Sequence, residues 1–293
     1  MGDITTAMKN TYDKTFKLLE QQMGSELQML VRKEMIEGEY KYFDFIDAAD
    51  ATEVFTRNAD TVNEDLVYAR RRINLRRFTF APLIDEYDKL ALINDPTSDI
   101  VQDALAAMGR TKDKLLVEAA FGTTYGGYDG TTSYVHDTAN NQIAASATGL
   151  TLTKLRSART IFNAANVPKA LPKYIACTAA QIEDLLEDTT LTNSDFAVVK
   201  ALVNGEVNSF MGFTFIEVNG EVDGSPIIPV DAASARRVLA WAEDGLLLGV
   251  GKDVETDIQQ RIDKNYSYQI YNKMWIGAMR TSEKKIVEIL CAE

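Results

Sequence analysis

The chain has 293 residues, 46% apolar and 25% charged, and a net charge of −12. So much apolar material excludes wholesale disorder, and 17 glycines with 6 prolines exclude a collagen-like or low-complexity chain. Two cysteines (Cys177, Cys291) and one histidine (His136) provide neither a disulfide framework nor a His- or Cys-rich metal centre, and the acidic balance lacks the footprint of a nucleic-acid-binding domain.

No run approaches 18 apolar residues, and the first 30 residues lack a hydrophobic signal core, so no membrane partner is expected. Residues 4–37 read as an amphipathic helix. Ile4, Met8, Tyr12, Phe16, Leu19, Met23, Leu27 and Leu30 step by three or four, and Gly38 suits the end.

Residues 39–82 read as extended. Tyr40 and Tyr42 share one strand face, and Phe43 and Phe45 share the other. The polar stretch Asp47–Glu64 reads as the tip of a two-stranded ribbon. Such a ribbon has too little local core to stand alone and must lean on its own domain or on a neighbour. It carries a dense basic run: Arg70, Arg71, Arg72, Arg76 and Arg77. The tip carries Asp47, Asp50, Glu53, Asp60, Glu64 and Asp65. Guanidinium groups pair bidentately with carboxylates, so the arginines and acids are candidate partners across an intersubunit contact.

Residues 95–122 read as a long helix. Asp95 or Ser98 suits the N-cap, Pro96 the first turn and Gly122 the end. The Gly/Thr/Ser/Asn-rich stretch 123–149 reads as a loop and domain boundary, with His136 expected on its surface. Gly122, Gly126, Gly127 and Gly130 lack the Gly-Lys-Ser/Thr ending of a phosphate loop. Asp85, Glu86 and Asp88 lack a fixed ligand pattern and read as solvated acids.

Helices are expected at 150–166, 178–187 and 195–203, and strands at 173–177, 211–218 and 238–241. The tail, 246–293, reads as mostly strand, ending in Ile286–Leu290. No catalytic, cofactor-binding or metal-binding motif emerges, and an enzyme is not expected.

One block has a specific look. Asn166-Val167-Pro168 follows a helix, Lys173–Cys177 forms a short strand, and AQIEDLL forms a helix. An acidic break follows, and Asn208-Ser209-Phe210-Met211-Gly212-Phe213 opens the next strand. The block resembles the core of major capsid proteins of tailed bacteriophages, which share the Hong Kong 97 fold.

That resemblance implies an α+β fold with an N-terminal arm (1–38) and an extended β-ribbon loop with its lead-in (39–94). It also implies a peripheral domain with a long spine helix (95–149 and 241–293) and an inserted axial domain (150–240). The implied function is self-assembly through pentamers and hexamers into an icosahedral shell around phage double-stranded DNA, without sequence-specific contact. Implied partners are further copies of the chain, a scaffolding protein, a portal protein and, as optional additions, decoration proteins. The implied location is the virion capsid, assembled in the bacterial host cytoplasm. The founding member joins its subunits through a lysine in the extended loop. Between Lys41 and Lys89 this chain has none, so a noncovalent shell is expected. Members with a fused scaffold carry about 100 residues before the arm, and the resemblance here implies instead a separate scaffold or an arm that does that work alone. The competing readings are an encapsulin-type compartment, a metal-dependent hydrolase and a phage head–tail adaptor.

Overall fold

The computed structural model describes residues 21–53, 55–58, 60, 63, 65–84, 97–187 and 209–293. Its main helix, α1 (Thr97–Phe121), has 25 residues and so runs about 37 Å. Ala104, Met108, Leu115, Leu116 and Ala120 make its buried stripe.

Among the described residues five strands precede α1: β1 (Arg32–Met35), β2 (Tyr40–Ile46), β3 (Tyr68–Asn74), β4 (Arg76–Phe80) and β5 (Leu83–Ile84). Short strands β6 (Thr124–Gly126), β7 (Thr132–Tyr134) and β8 (Gln142–Ile143) follow it. Then come α2 (Leu152–Ala164), β9 (Lys173–Cys177) and α3 (Ala179–Glu187). Beyond them lie β10 (Ser209–Phe210), β11 (Phe213–Glu217), β12 (Glu221–Val222) and β13 (Ser225–Pro226). The chain closes with β14 (Ala235–Ala242), β15 (Leu246–Arg261), β16 (Ser267–Arg280) and β17 (Ile286–Ala292).

A five-stranded sheet in the order β1-β15-β16-β4, with β5 further along β16, lies against α1. Alternation along β15 fastens two layers to it. Leu246 and Leu248 join Leu116, Val117, Ala120 and Trp241 on one side. Leu247 joins Ile36, Ile73 and Met279 at the ribbon base on the other. Gly277 permits a close crossing, since a Cβ there would run into the Asn74 carbonyl.

A six-stranded sheet in the order β10-β11-β9-β14-β17-β8 carries α2. Thr151 caps α2 by accepting from the Lys154 backbone N–H, and Leu155, Ala158 and Phe162 fill its buried face. The Lys154 ammonium is also buried. Its Nζ donates to the carbonyls of Ala145 (2.8 Å), Thr148 (2.7 Å), Gly149 (2.9 Å) and Leu290 (2.8 Å), and burial holds its pKa below the usual lysine range. β17 pairs with β14 and β8, so the last strand of the tail returns to this sheet.

The expected elements at 95–122, 150–166, 173–177, 178–187 and 238–241 are present. The expected helix at 195–203 lies outside the described residues. The helix expected over 4–37 does not hold where the structure describes it. Residues 21–36 form a 3₁₀ turn (Gln28–Leu30) and β1, which pairs parallel with β15. Their donors find partners on α1 instead. The buried Asp113 carboxylate accepts from Ser25 Oγ, Gln22 Nε2 and the backbone N–H groups of Glu26 (3.0 Å) and Leu27 (3.1 Å). Burial raises its pKa, while these hydrogen bonds pull it down.

Gly109 makes the contact possible. A Cβ there would meet the Gly24 backbone at 2.6 Å. Gly109→Ala gains about 1 kcal/mol of helix propensity, but overpacking against backbone costs roughly 1–3 kcal/mol. We expect a lower melting temperature and faster proteolysis within residues 21–36. An unchanged cleavage rate would refute the close packing.

Candidate assembly interface

The ribbon is β2 paired antiparallel with β3, from Tyr40 opposite Asn74 to Ile46 opposite Tyr68. Tyr40 and Tyr42 share one face, with ring centroids 5.7 Å apart, as the alternation requires. Phe43 and Phe45 face the opposite way and pack on the base cluster of Ile36, Ile73, Leu247 and Met279. Beyond that base the ribbon exposes Ile46, Phe55 (85% exposed), Leu66, Val67 and Tyr68. The tip is therefore not purely polar, as its composition suggested. It holds exposed Phe55, and Ile46, Leu66, Val67 and Tyr68 are uncovered beside it in the single chain.

The same alternation divides the basic run. Arg70 and Arg72 stand on the tyrosine face. Arg70 makes a bidentate pair with exposed Asp44, at 2.6 and 3.2 Å, and Arg72 lies over the Tyr40 ring. Arg76 reaches Glu118 at 3.5 Å, and Arg77 lies over the Trp275 ring. Arg71 points inward and is 7% exposed. Of the five candidates, Arg71 thus faces its own core, because an odd position in β3 lies on the side of Phe43 and Ile73. The acidic positions Asp47, Asp50 and Glu53 are exposed. Among the described residues, no ion pair joins them to the five arginines.

Arg71 belongs to a buried junction. Its Nη1 and Nη2 donate to both oxygens of Glu283, at 3.1 and 2.6 Å, and its guanidinium lies 4.4 Å from the Tyr134 ring centroid. Glu283 Oε1 also accepts from Arg280, at 3.1 and 3.2 Å. Arg280 is fully buried and donates to the carbonyls of Ala120 (2.6 Å), Gly122 (2.9 Å) and Tyr134 (3.0 Å). It thus takes up the carbonyl end of α1, where the helix dipole favours a cation. Burial alone would raise the Glu283 pKa, but Arg71 and Arg280 hold it below the usual carboxylate range.

His136 stands beside this junction and is 5% exposed, contrary to the expected surface position. Its ring meets Phe121 edge-on at 6.0 Å, and its Nε2 lies 3.5 Å from the buried Glu288 carboxylate. Glu288 accepts from Arg237 Nε and from Gln142 (3.0 Å). Burial, with Arg280 and Arg237 nearby, depresses the His136 pKa despite the opposing Glu288 charge.

Two clefts flank the ribbon base. One of about 520 Å³ is lined by Trp275, Arg77, Leu75 and Glu39. One of about 900 Å³ separates Ile46 and Asp47 from Ile161 and Asn166 of the α2 end. Neither pairs a nucleophile with a positioned base. Among the described residues, no group of three or more His, Cys, Asp or Glu side chains could hold a metal ion. Cys177 and Cys291 are buried thiols pushed up to about 12. What stands out is uncovered reaching surface around a rigid α+β body.

Residues 4–293 match the family described as phage capsid protein. The chain belongs to that family. It is a structural protein of the phage capsid, with no enzymatic role. Solved capsids share its fold at low identity. The acid-stable capsid of Helicobacter pylori bacteriophage KHP30 matches with a TM-score of 0.74 and 9% identity over 99% of this chain and 97% of that one. The cyanophage Pam1 capsid gives 0.72 and 12% over 100% and 99%. Mycobacterium phage Che8 gives 0.70 and 14% over 96% of both chains. These likenesses establish the Hong Kong 97 fold. No curated protein matches the sequence significantly. The family match also leaves the encapsulin reading unfavoured.

Two predictions test the buried groups of the coat protein. Arg71→Ala leaves Glu283 short of a buried partner and should cost about 3 kcal/mol. Arg70→Ala removes only an exposed pair and should leave the melting temperature unchanged. Equal effects would contradict the assigned burial.

The second concerns pH. The folded His136 pKa lies below its ordinary value of 6.5, so its stabilisation is complete above that value and is lost as pH falls. Glu283 adds loss of the same sign, below its ordinary 4.5. Stability should decline from about pH 6.5 downward, and His136→Gln should flatten the curve between the two values. Identical slopes would remove His136 from the account.

Proposed function

We propose that this coat protein builds its shell through pentamers and hexamers, joined by noncovalent contacts, around double-stranded DNA. The observation that carries the reading is the ribbon. Ile46, Phe55, Leu66, Val67 and Tyr68 are exposed in one chain, and a two-stranded ribbon cannot cover them itself. A neighbouring copy supplies the missing surface. Closed shells repeat such heterologous contacts around rotation axes, and many weak ones together give avidity.

In this reading residues 1–38 are an arm, 39–94 the extended loop and its lead-in, 95–149 and 241–293 the peripheral domain, and 150–240 the axial domain. Arg70, Arg72, Arg76 and Arg77, with Asp47, Asp50 and Glu53, remain contact candidates. Arg71 serves indirectly, by holding the ribbon to the body. A separate scaffolding protein and a portal protein complete assembly in the bacterial cytoplasm, and decoration proteins would sit outside. The net charge of −12 keeps the inner wall from gripping DNA while it is loaded.

The absence of any lysine between Lys41 and Lys89 supports the noncovalent reading. Expressed in bacteria and viewed by negative-stain electron microscopy, the protein should give closed shells, or sheets and tubes of capsomers, when its scaffold is supplied. Boiled in detergent, those particles should release chains of 32.5 kDa. A ladder of higher bands would overturn the noncovalent reading. Fixed small rings in place of shells would favour a head–tail adaptor.

A further inference from the structure

The charge of this chain is unevenly placed. Between Asp137 and Glu183 no acidic residue occurs, although the whole chain is at −12. The same stretch holds five cations: Lys154, Arg156, Arg159, Lys169 and Lys173. Lys154 is internal, held by four carbonyls. Lys173 is half-buried, and its pKa is lowered by burial and by Arg159 nearby.

The other three are exposed. α2 buries Leu155, Ala158 and Phe162 and so presents Arg156, Arg159, Thr160 and Asn163 outward. The turn after it adds Asn166 and Lys169, with exposed Pro168, Ala170 and Pro172 between them. Among the described residues, neither Arg156, Arg159 nor Lys169 has a carboxylate partner. The face is thus basic, free of ion pairs among the described residues, and fringed with amides and small apolar groups, with Asp184 across a cleft from Arg156.

The ribbon tip is its opposite. Residues 47–65 hold six carboxylates against a single cation, Arg57. Asp47, Asp50, Glu53, Asp60 and Asp65 are exposed and, among the described residues, unpaired. The arginines of the ribbon do not meet them. Arg70 takes Asp44, Arg71 takes Glu283 and Arg76 takes Glu118. Within one chain, Ile46 and Asp47 of the ribbon share a cleft with Ile161 and Asn166 at the C-terminal end of α2.

We infer that the exposed face of α2 and the turn through Lys169 is the docking surface for the acidic ribbon tip of another copy of this chain. The inference rests on the shell reading, in which the ribbon leaves its own subunit. Opposite charge steers the approach and sets register, and Phe55 and its apolar neighbours add the area that charge alone does not supply. Arginine suits the role through its planar two-pronged fit to carboxylates. Duplex DNA is the rival occupant of a basic face. The tip is favoured because it is equally unpaired, opposite in charge, and carried by the same chain in equal number.

A charge-exchange experiment tests this. One variant carries Arg156→Glu, Arg159→Glu and Lys169→Glu. A second carries Asp47→Lys, Asp50→Lys and Glu53→Lys. A third carries all six. Every changed residue is exposed, so circular dichroism should show folded chains throughout. Particle yield is read by sedimentation and electron microscopy with scaffold present. Each three-residue variant should lose at least roughly tenfold in yield, and the six-residue variant should regain most of it, as coupled charges do in double-mutant cycles. Normal shells from either three-residue variant, or no recovery in the combined one, would overturn the inference. Normal empty shells that fail to retain DNA would assign the face to nucleic acid and overturn it as well. The unaltered chain keeps the two readings apart. If it forms no particles, the shell reading falls and takes this inference with it. If it does, an unrescued combination refutes this inference alone.

Discussion

A single carboxylate, Glu283, stands between two guanidinium groups, and the shape of the subunit depends on it. Through Arg280 it is tied to the open carbonyls at the end of α1. Through Arg71 it is tied to the ribbon. Its own backbone carbonyl accepts from Asn141 (2.9 Å), which brings in the loop before β8. Three segments far apart in sequence thus meet at one charge. Ion pairs of this depth add little net stability against an apolar alternative, but losing one member is costly. Their value lies in geometry, since a bidentate fork fixes angle as well as distance.

That geometry matters because the rest of the ribbon is weakly held. Its base is packed under Phe43, Phe45 and Ile73, while every described residue from Ile46 to Tyr68 is exposed. A lever fixed at one end transmits small errors at its root into large ones at its tip. Placing the rigid junction at the root, beside the end of the main helix, keeps the tip where another subunit can meet it. The middle of the helix is fastened separately, by Asp113 and the close approach of Gly24 to Gly109.

Much of the architecture was legible because it follows local rules. The Gly122 stop marked the end of α1, and alternation marked the ribbon faces. The misreadings share one cause, which is that partners distant in sequence decided the outcome. Met23, Leu27 and Leu30 keep helical spacing, yet Asp113 takes over the backbone donors and the segment turns instead. His136 sits among polar neighbours in sequence, and its burial comes from Phe121, Arg237 and Glu288. Arg71 is different, because the signal was present. Period-two alternation separates it from Arg70 and Arg72 and puts it on the face of Phe43 and Ile73. Reading the arginines as one block concealed that. The basic α2 face was legible too, as a long gap in the acids.

Lys154 carries a consequence of another kind. Four carbonyls converging on one positive centre is the sort of ligand set that a hard metal ion takes. Here the cation is a side chain of the protein itself. It cannot be diluted, exchanged for another ion or stripped by a chelator. A particle that leaves the cell passes into media whose divalent ions its host no longer controls. The turn at 145–149 takes its shape from a charge that travels with it.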